Sequence, residues 1–147
     1  MSSSTPELTI HKADTSTELQ LPLMGNTISA GFPSPADDFI DQPIDLNKEL
    51  IKNPSSTFLV RVKGLSMIEA GIYPEDILTV DKSLDVRSGD IVVSFINNEF
   101  TLKRILIEKK QIWLLPENKD YHPILVTEEN EFLVWGVVTY IIKKARR

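Results

Sequence analysis

The segment IVVSFINNEFTLKRILI, residues 91–107, decides the fold class that the sequence predicts. Two runs rich in β-branched and aromatic residues, 91–96 and 100–107, are separated by Asn97 and Asn98, which are typical of a tight hairpin turn. Further strand-like runs cover residues 57–62, 77–80, 111–115 and 132–142. Short β-rich runs separated by turns predict a mainly β protein with an antiparallel sheet or barrel-like domain.

The N-terminal part of the chain differs in composition from the rest. Residues 1–43 are rich in Ser, Thr and Pro, and they predict a mobile arm with a strand near residues 19–21. Residues 44–147 are predicted to form the β-rich domain. At its start, Asp45 is placed to cap a short helix over residues 46–52.

Composition excludes several classes of function. A chain of 147 residues with a formal net charge of −5 predicts one domain without the basic surface that binds nucleic acid or anionic membranes. It contains no cysteine, and its two histidines, His11 and His122, lie far apart, so we expect neither a metal nor a cofactor. Since no signal peptide or membrane-spanning run is present, we expect a cytoplasmic protein.

A candidate nucleophile follows the strand predicted over residues 57–62. In the segment 64–67, Gly64 allows a sharp backbone turn, and nearby amide N–H groups can then face a substrate carbonyl. This geometry suits Ser66 as a nucleophile beside an oxyanion hole. Gly-x-Ser is also a common loop sequence, so the segment alone leaves an ordinary loop serine open.

Lys103 is the candidate base that would activate this serine. Strand alternation places it on one face with Thr101, Ile105 and Ile107, while Arg104 points the other way. A lysine amine on a partly apolar face loses hydration, which lowers its pKa from about 10.4 towards the range of a working base. A guanidinium stays protonated and cannot take this role. An edge-strand lysine that reaches solvent has the same local pattern.

The bond between Ala30 and Gly31 is the candidate substrate. Small residues on both sides do not obstruct attack, and Pro33 and Pro35 stiffen the chain that follows. A tethered segment that reaches the serine would react intramolecularly, which can raise effective concentrations to about 10⁵–10⁸ M. A plain flexible linker is the alternative.

Six short segments resemble a known family when they are taken together. They are, in order, GFPSPA (31–36), IDLN (44–47), GLSM (64–67), GDIV (89–92), EFTLKR (99–104) and WGVV (135–138). From about Gly31 to the C-terminus the chain resembles the LexA/UmuD family of self-cleaving serine peptidases. The resemblance implies a fold like the C-terminal domain of LexA, with Ser66 as nucleophile, Lys103 as general base and the Ala30–Gly31 bond as the bond cut.

The resemblance also implies partners and a cellular role. The implied partners are a second copy of the chain in a homodimer, the RecA filament on single-stranded DNA, which activates cleavage, and a UmuC-like catalytic subunit of error-prone DNA polymerase V. The shortened product of cleavage assists this catalytic subunit. The role implied is translesion synthesis in the SOS response, without direct DNA binding by this chain and without a membrane.

Three other classes of protein compete with this interpretation. A LexA-like repressor would need a basic helix-turn-helix, whereas residues 1–30 contain one lysine and no arginine. A signal peptidase also uses serine and lysine but needs a membrane anchor, which we do not expect here. A non-catalytic polymerase-binding β domain with an inactive dyad stays open, because Leu65 stands where family members often have Asp.

Overall fold

A computed structural model describes residues 8–16, 20–24 and 40–146. Within them, the chain forms ten β-strands, one short α-helix and two short 3-10 helices. The strands are β1 (Leu8–Lys12), β2 (Gln20–Met24), β3 (Ile40–Asp45), β4 (Thr57–Val62), β5 (Ile77–Asp81), β6 (Ile91–Ile96), β7 (Glu99–Glu108), β8 (Gln111–Leu115), β9 (Ile124–Val126) and β10 (Phe132–Ile142). Helix α1 is Leu46–Leu50, and the 3-10 helices are Pro54–Ser56 and Ile68–Ala70.

The chain divides into two compact units. One contains β1 and β4–β10, and the other, Asp14–Pro54, contains β2, β3 and α1. In the smaller unit, β2 and β3 pair in antiparallel fashion. The Asp45 side chain caps α1, since its Oδ1 accepts a hydrogen bond from the Asn47 N–H at 2.9 Å. The helix therefore begins where the sequence predicts it, but it ends at Leu50 rather than at Lys52.

The larger unit is an eight-stranded antiparallel sheet in the order β1-β4-β5-β10-β6-β7-β8-β9. Strand β10 joins its two halves, because it pairs with β6 over its first part and with β5 over its second. The register shifts beside Gly136, where an added Cβ would lie 2.6 Å from Val80 Cγ1. A glycine is needed at this crossing because the two strands approach too closely for a side chain.

Two clusters of buried apolar side chains stabilise the sheet. The first includes Met67 and Leu102, which are the chain neighbours of Ser66 and Lys103. The second includes Val92 and Ile105. Burial of these flanking side chains anchors both candidate catalytic residues to the core, so their positions depend on strand packing rather than on a free loop.

The mainly β, antiparallel fold that the sequence predicts is confirmed, and the predicted hairpin corresponds to β6 and β7. The pattern missed β1, β3 and the three-residue β9. Strand β1 belongs to the main sheet although it lies in the segment that we assigned to the arm. The division at residue 43 stays a prediction. No helix in the described part of the chain is both long and apolar enough to span a membrane.

Candidate active site

Ser66 lies in the connection between β4 and the 3-10 helix Ile68–Ala70. Its side chain is almost completely buried, at 1% exposure. Directly after it, Met67 packs in the first core cluster, and the Met67 carbonyl accepts hydrogen bonds from Ala70 N–H and Ile72 N–H. The turn after the serine is thus closed by its own backbone, and Ser66 lies four residues beyond the end of β4.

Lys103 reaches Ser66 from the middle of β7. The distance between Lys103 Nζ and Ser66 Oγ is 3.1 Å, and the lysine is only 6% exposed. Nζ also donates to Thr101 Oγ1 at 2.6 Å and to the Leu102 carbonyl at 3.1 Å. The two residues that the sequence singled out are therefore brought into direct contact, across 37 positions of the chain.

The arrangement around Nζ is compatible with two protonation states. A protonated ammonium donates to Ser66 Oγ, Thr101 Oγ1 and the Leu102 carbonyl, while the Ser66 hydroxyl donates to that same carbonyl at 3.3 Å. A neutral amine needs only two of these acceptors for its N–H groups. Its lone pair can then accept the Ser66 proton after a rotation of the hydroxyl, which is the arrangement that a general base requires.

Strand alternation in β7 explains which side chains meet. Thr101, Lys103 and Ile105 are all buried, as expected for one inward face. Arg104 points elsewhere, since its Nε is 2.5 Å from Glu117 Oε1 and its Nη1 donates to the Gly89 carbonyl at 2.6 Å. Ile107 follows the same alternation, but it lies near the end of β7 and is exposed.

Thr101 is a member of the site to which the sequence pattern gave no role. It was placed on the face of Lys103 by the spacing of two residues, and the structure adds the short contact with Nζ. Opposite Thr101 on the neighbouring strand lies Ser94, which is fully buried. Among the described residues, the Ser94 hydroxyl has no hydrogen-bond partner.

The backbone of the serine loop is held by the segment after β8, for which the sequence pattern predicts no role. The Glu117 N–H donates to the Ser66 carbonyl at 2.7 Å, and the Asn118 Nδ2 donates to the Leu65 carbonyl at 2.8 Å. In return, the Glu69 N–H donates to the Glu117 carbonyl at 2.7 Å. These contacts join parts of the chain about fifty residues apart, and no local sequence pattern predicts them.

The Ala30–Gly31 bond lies outside the described residues. Across residues 8–16, 20–24 and 40–146, no three or more His, Cys, Asp or Glu side chains form a group that can hold a metal ion.

Comparison with known proteins agrees with the fold. The family described as Peptidase S24-like matches residues 22–139. Protein MucA of Salmonella typhimurium is 42% identical over 121 residues, which cover 82% of each chain. Protein SamA of Salmonella typhimurium strain LT2 is 44% identical over 125 residues, or 85% of this chain and 86% of SamA.

The chain also matches a repressor. The LexA repressor of Acidithiobacillus ferrooxidans is 40% identical over 129 residues, which cover 86% of this chain and 62% of the repressor. The chain therefore belongs to the S24-like family of serine peptidases, the LexA/UmuD family that the ordered sequence segments indicate.

Proposed function

We propose that this chain is a serine endopeptidase that cuts its own Ala30–Gly31 bond. Ser66 is the nucleophile and Lys103 the general base. The observation that carries the proposal is the 3.1 Å contact between Ser66 Oγ and Lys103 Nζ at a site where both side chains are buried. A nucleophile and a base within hydrogen-bond reach form the minimal unit of acyl transfer.

The reaction has two chemical stages. In the first, neutral Lys103 takes the Ser66 proton while Oγ bonds to the Ala30 carbonyl carbon. The resulting ammonium protonates the Gly31 nitrogen as the peptide bond breaks, which leaves an ester between Ser66 and Ala30. In the second, Lys103 takes a proton from water, the hydroxide attacks the ester, and the proton returns to Ser66. The products are a carboxylate at Ala30 and a new N-terminus at Gly31.

The surroundings of Lys103 support its role as a base. Burial disfavours the charged ammonium, because the protein interior solvates charge less well than water does. Thr101 Oγ1 and the Leu102 carbonyl can hold both N–H groups of the neutral amine, which aims the lone pair at Ser66. We therefore expect cleavage to accelerate as the pH rises and more Lys103 loses its proton.

We assign the substrate to the chain's own arm. Residues 1–43 would act as the arm that carries the bond, and residues 44–147 would act as the peptidase domain. Tethering removes the need for a bimolecular encounter, so a weakly activated serine suffices. The arm can enter the site of its own domain or that of a second copy. Mixing subunits that lack Ser66 with subunits that lack the Ala30–Gly31 bond distinguishes the two, because only cleavage between copies can then occur.

We place the shortened product in error-prone translesion synthesis during the SOS response. In this role it would form a cytoplasmic homodimer, respond to the RecA filament, and assist a UmuC-like catalytic subunit of DNA polymerase V. The ordered family segments and the matches to MucA and SamA over most of their lengths support this assignment.

Leu65 bears on the non-catalytic alternative. Its side chain is 49% exposed, whereas its carbonyl faces Asn118. The leucine side chain therefore points towards solvent and does not separate Ser66 from Lys103, which are in direct contact. This orientation favours a working dyad over an inactive polymerase-binding domain.

Intact-mass measurement tests the proposal. Wild type should convert slowly into a fragment of residues 31–147, and faster with RecA filaments, whereas Ser66→Ala and Lys103→Ala should stay intact. Lys82→Ala, which removes a lysine from an aromatic cluster on β4 and β10, is a control that should cleave normally. Equal conversion of all variants would indicate a contaminating protease and refute the dyad. No conversion of wild type even with RecA filaments would favour the binding domain, and a cut at another bond would overturn only the cleavage site.

A further inference from the structure

Asn118 is held in one orientation beside the serine loop. It lies just after β8 and is 8% exposed. Its Oδ1 accepts a hydrogen bond from the Asp120 N–H at 2.9 Å. Because this contact takes the oxygen end of the amide, the nitrogen end faces the Leu65 carbonyl, to which Nδ2 donates at 2.8 Å.

This contact is the shorter of two that set the direction of the amide at the nucleophile, since the Ile68 N–H also donates to the Leu65 carbonyl, at 3.4 Å. The Leu65 carbonyl and the Ser66 N–H belong to the same peptide unit, which is planar and trans, so they point in opposite directions. When Asn118 holds the carbonyl, the Ser66 N–H is directed away from Asn118. The next peptide unit is held in the same manner, since the Ser66 carbonyl accepts the Glu117 N–H at 2.7 Å.

The segment that carries Asn118 is itself attached to the strand of the base. Glu117 forms an ion pair with Arg104 at 2.5 Å, and Arg104 directly follows Lys103. Arg104 also donates to the Gly89 carbonyl, which fixes the guanidinium from a second side. The Ser66 backbone is thus attached, through Glu117, to β7. This is the same strand that positions Lys103.

We propose that Asn118 is a positioning residue that orients the Ser66 N–H as an oxyanion-hole donor. This inference rests on the proposed peptidase function and extends it to a residue that does not touch the reacting atoms. As Oγ attacks, negative charge develops on the carbonyl oxygen of the scissile bond, and a preoriented N–H stabilises it without reorganisation. Removal of a direct oxyanion donor lowers rates about 10²–10³-fold. Asn118 acts through a peptide unit, so we expect a loss of about 10–100-fold.

Asn118→Ala tests the inference, with Asn130→Ala as the matched control. Asn130 also caps a turn through Oδ1, which accepts from the Thr127 N–H at 2.7 Å, but it lies on an exposed loop and its Nδ2 donates to Asn97 Oδ1. Self-cleavage is followed by intact mass across pH, and unfolding is followed in urea. For Asn118→Ala, we expect the maximal rate at high pH to fall about 10–100-fold while the pH midpoint, which reports Lys103, stays unchanged. Asn130→Ala should keep both values.

A second readout separates an oxyanion role from general loosening. A peptide with the sequence of residues 25–30 that ends in boroalanine can form a tetrahedral adduct with Ser66, whereas the same peptide ending in a carboxamide cannot. In wild type, the boronic acid should inhibit self-cleavage more strongly than the carboxamide, and Asn118→Ala should reduce that ratio about tenfold.

Three results would overturn the inference: a cleavage rate of Asn118→Ala within threefold of Asn130→Ala, a loss of rate with an unchanged inhibitor ratio, or a shifted pH midpoint. A wild-type chain that neither cleaves itself nor binds the boronic acid would refute the proposed function first, and the role of Asn118 with it.

Discussion

Thr101→Val tests how the surroundings of Lys103 control its proton. Valine keeps the size and branching of threonine, but it removes the hydroxyl that accepts from Nζ at 2.6 Å. A hydrogen bond to a charged group contributes about 1.5–3 kcal/mol and one between neutral groups about 0.5–1.5 kcal/mol. The ammonium therefore loses about 1 kcal/mol more than the neutral amine does.

The sign of the effect follows from this difference. The substitution destabilises the protonated form more than the neutral form, so the amine loses its proton at lower pH. Since 1.36 kcal/mol corresponds to one pH unit, the midpoint of the pH–rate profile should fall by about 0.7. The maximal rate should also decrease severalfold, because one N–H of the neutral amine is no longer held and the lone pair is less well aimed at Ser66.

The assay is the first-order rate of self-cleavage by intact mass at closely spaced pH values. Thr79→Val is the matched control, since Thr79 is a buried strand threonine whose hydroxyl lies 2.6 Å from Thr139 Oγ1, on β5 and β10 rather than on β7. It should lose a similar amount of stability with no change in the midpoint. A midpoint for Thr101→Val that stays at the wild-type value, or moves to higher pH, would refute this account of the base.

Two further predictions concern stability. Ser94→Ala should raise the free energy of unfolding in urea by up to about 1 kcal/mol, because it removes a buried hydroxyl with no partner among the described residues. If the free energy of unfolding instead falls by more than about 1 kcal/mol, the hydroxyl has a hydrogen-bond partner in solution. Gly136→Ala should lower the same free energy by about 1–3 kcal/mol, because the new Cβ would overlap Val80 Cγ1. An unchanged urea midpoint would contradict the close crossing of β5 and β10.

The parts of the fold that the sequence predicted are those with strong local patterns. The hairpin of β6 and β7 combines β-branched runs with a two-asparagine turn, and alternation along β7 correctly separated Lys103 from Arg104. Alternation predicts which face of the strand a residue occupies. It does not predict how far along the strand that face is buried by the rest of the protein. Ile107 is exposed for this reason, because the core ends before the hairpin does.

What the sequence did not predict depends on contacts between distant residues. Strand β1 is short and lies in a Ser- and Thr-rich segment, so it becomes recognisable only through its pairing with β4. The role of Asn118 depends on a contact with Leu65, 53 positions away. Likewise, Ser66 and Lys103 were singled out by type and by family resemblance, but their distance is a property of the assembled sheet.

The most direct test of the central claim is the pH dependence of self-cleavage in wild type and Lys103→Met, with Ser66→Ala as the inactive reference. Methionine retains an unbranched, flexible side chain of similar length but cannot accept a proton. The account predicts that wild type forms the 31–147 fragment at a rate that rises with pH to a plateau, while Lys103→Met remains intact at every pH. Cleavage of Lys103→Met at the wild-type rate would contradict the claim that Lys103 activates Ser66.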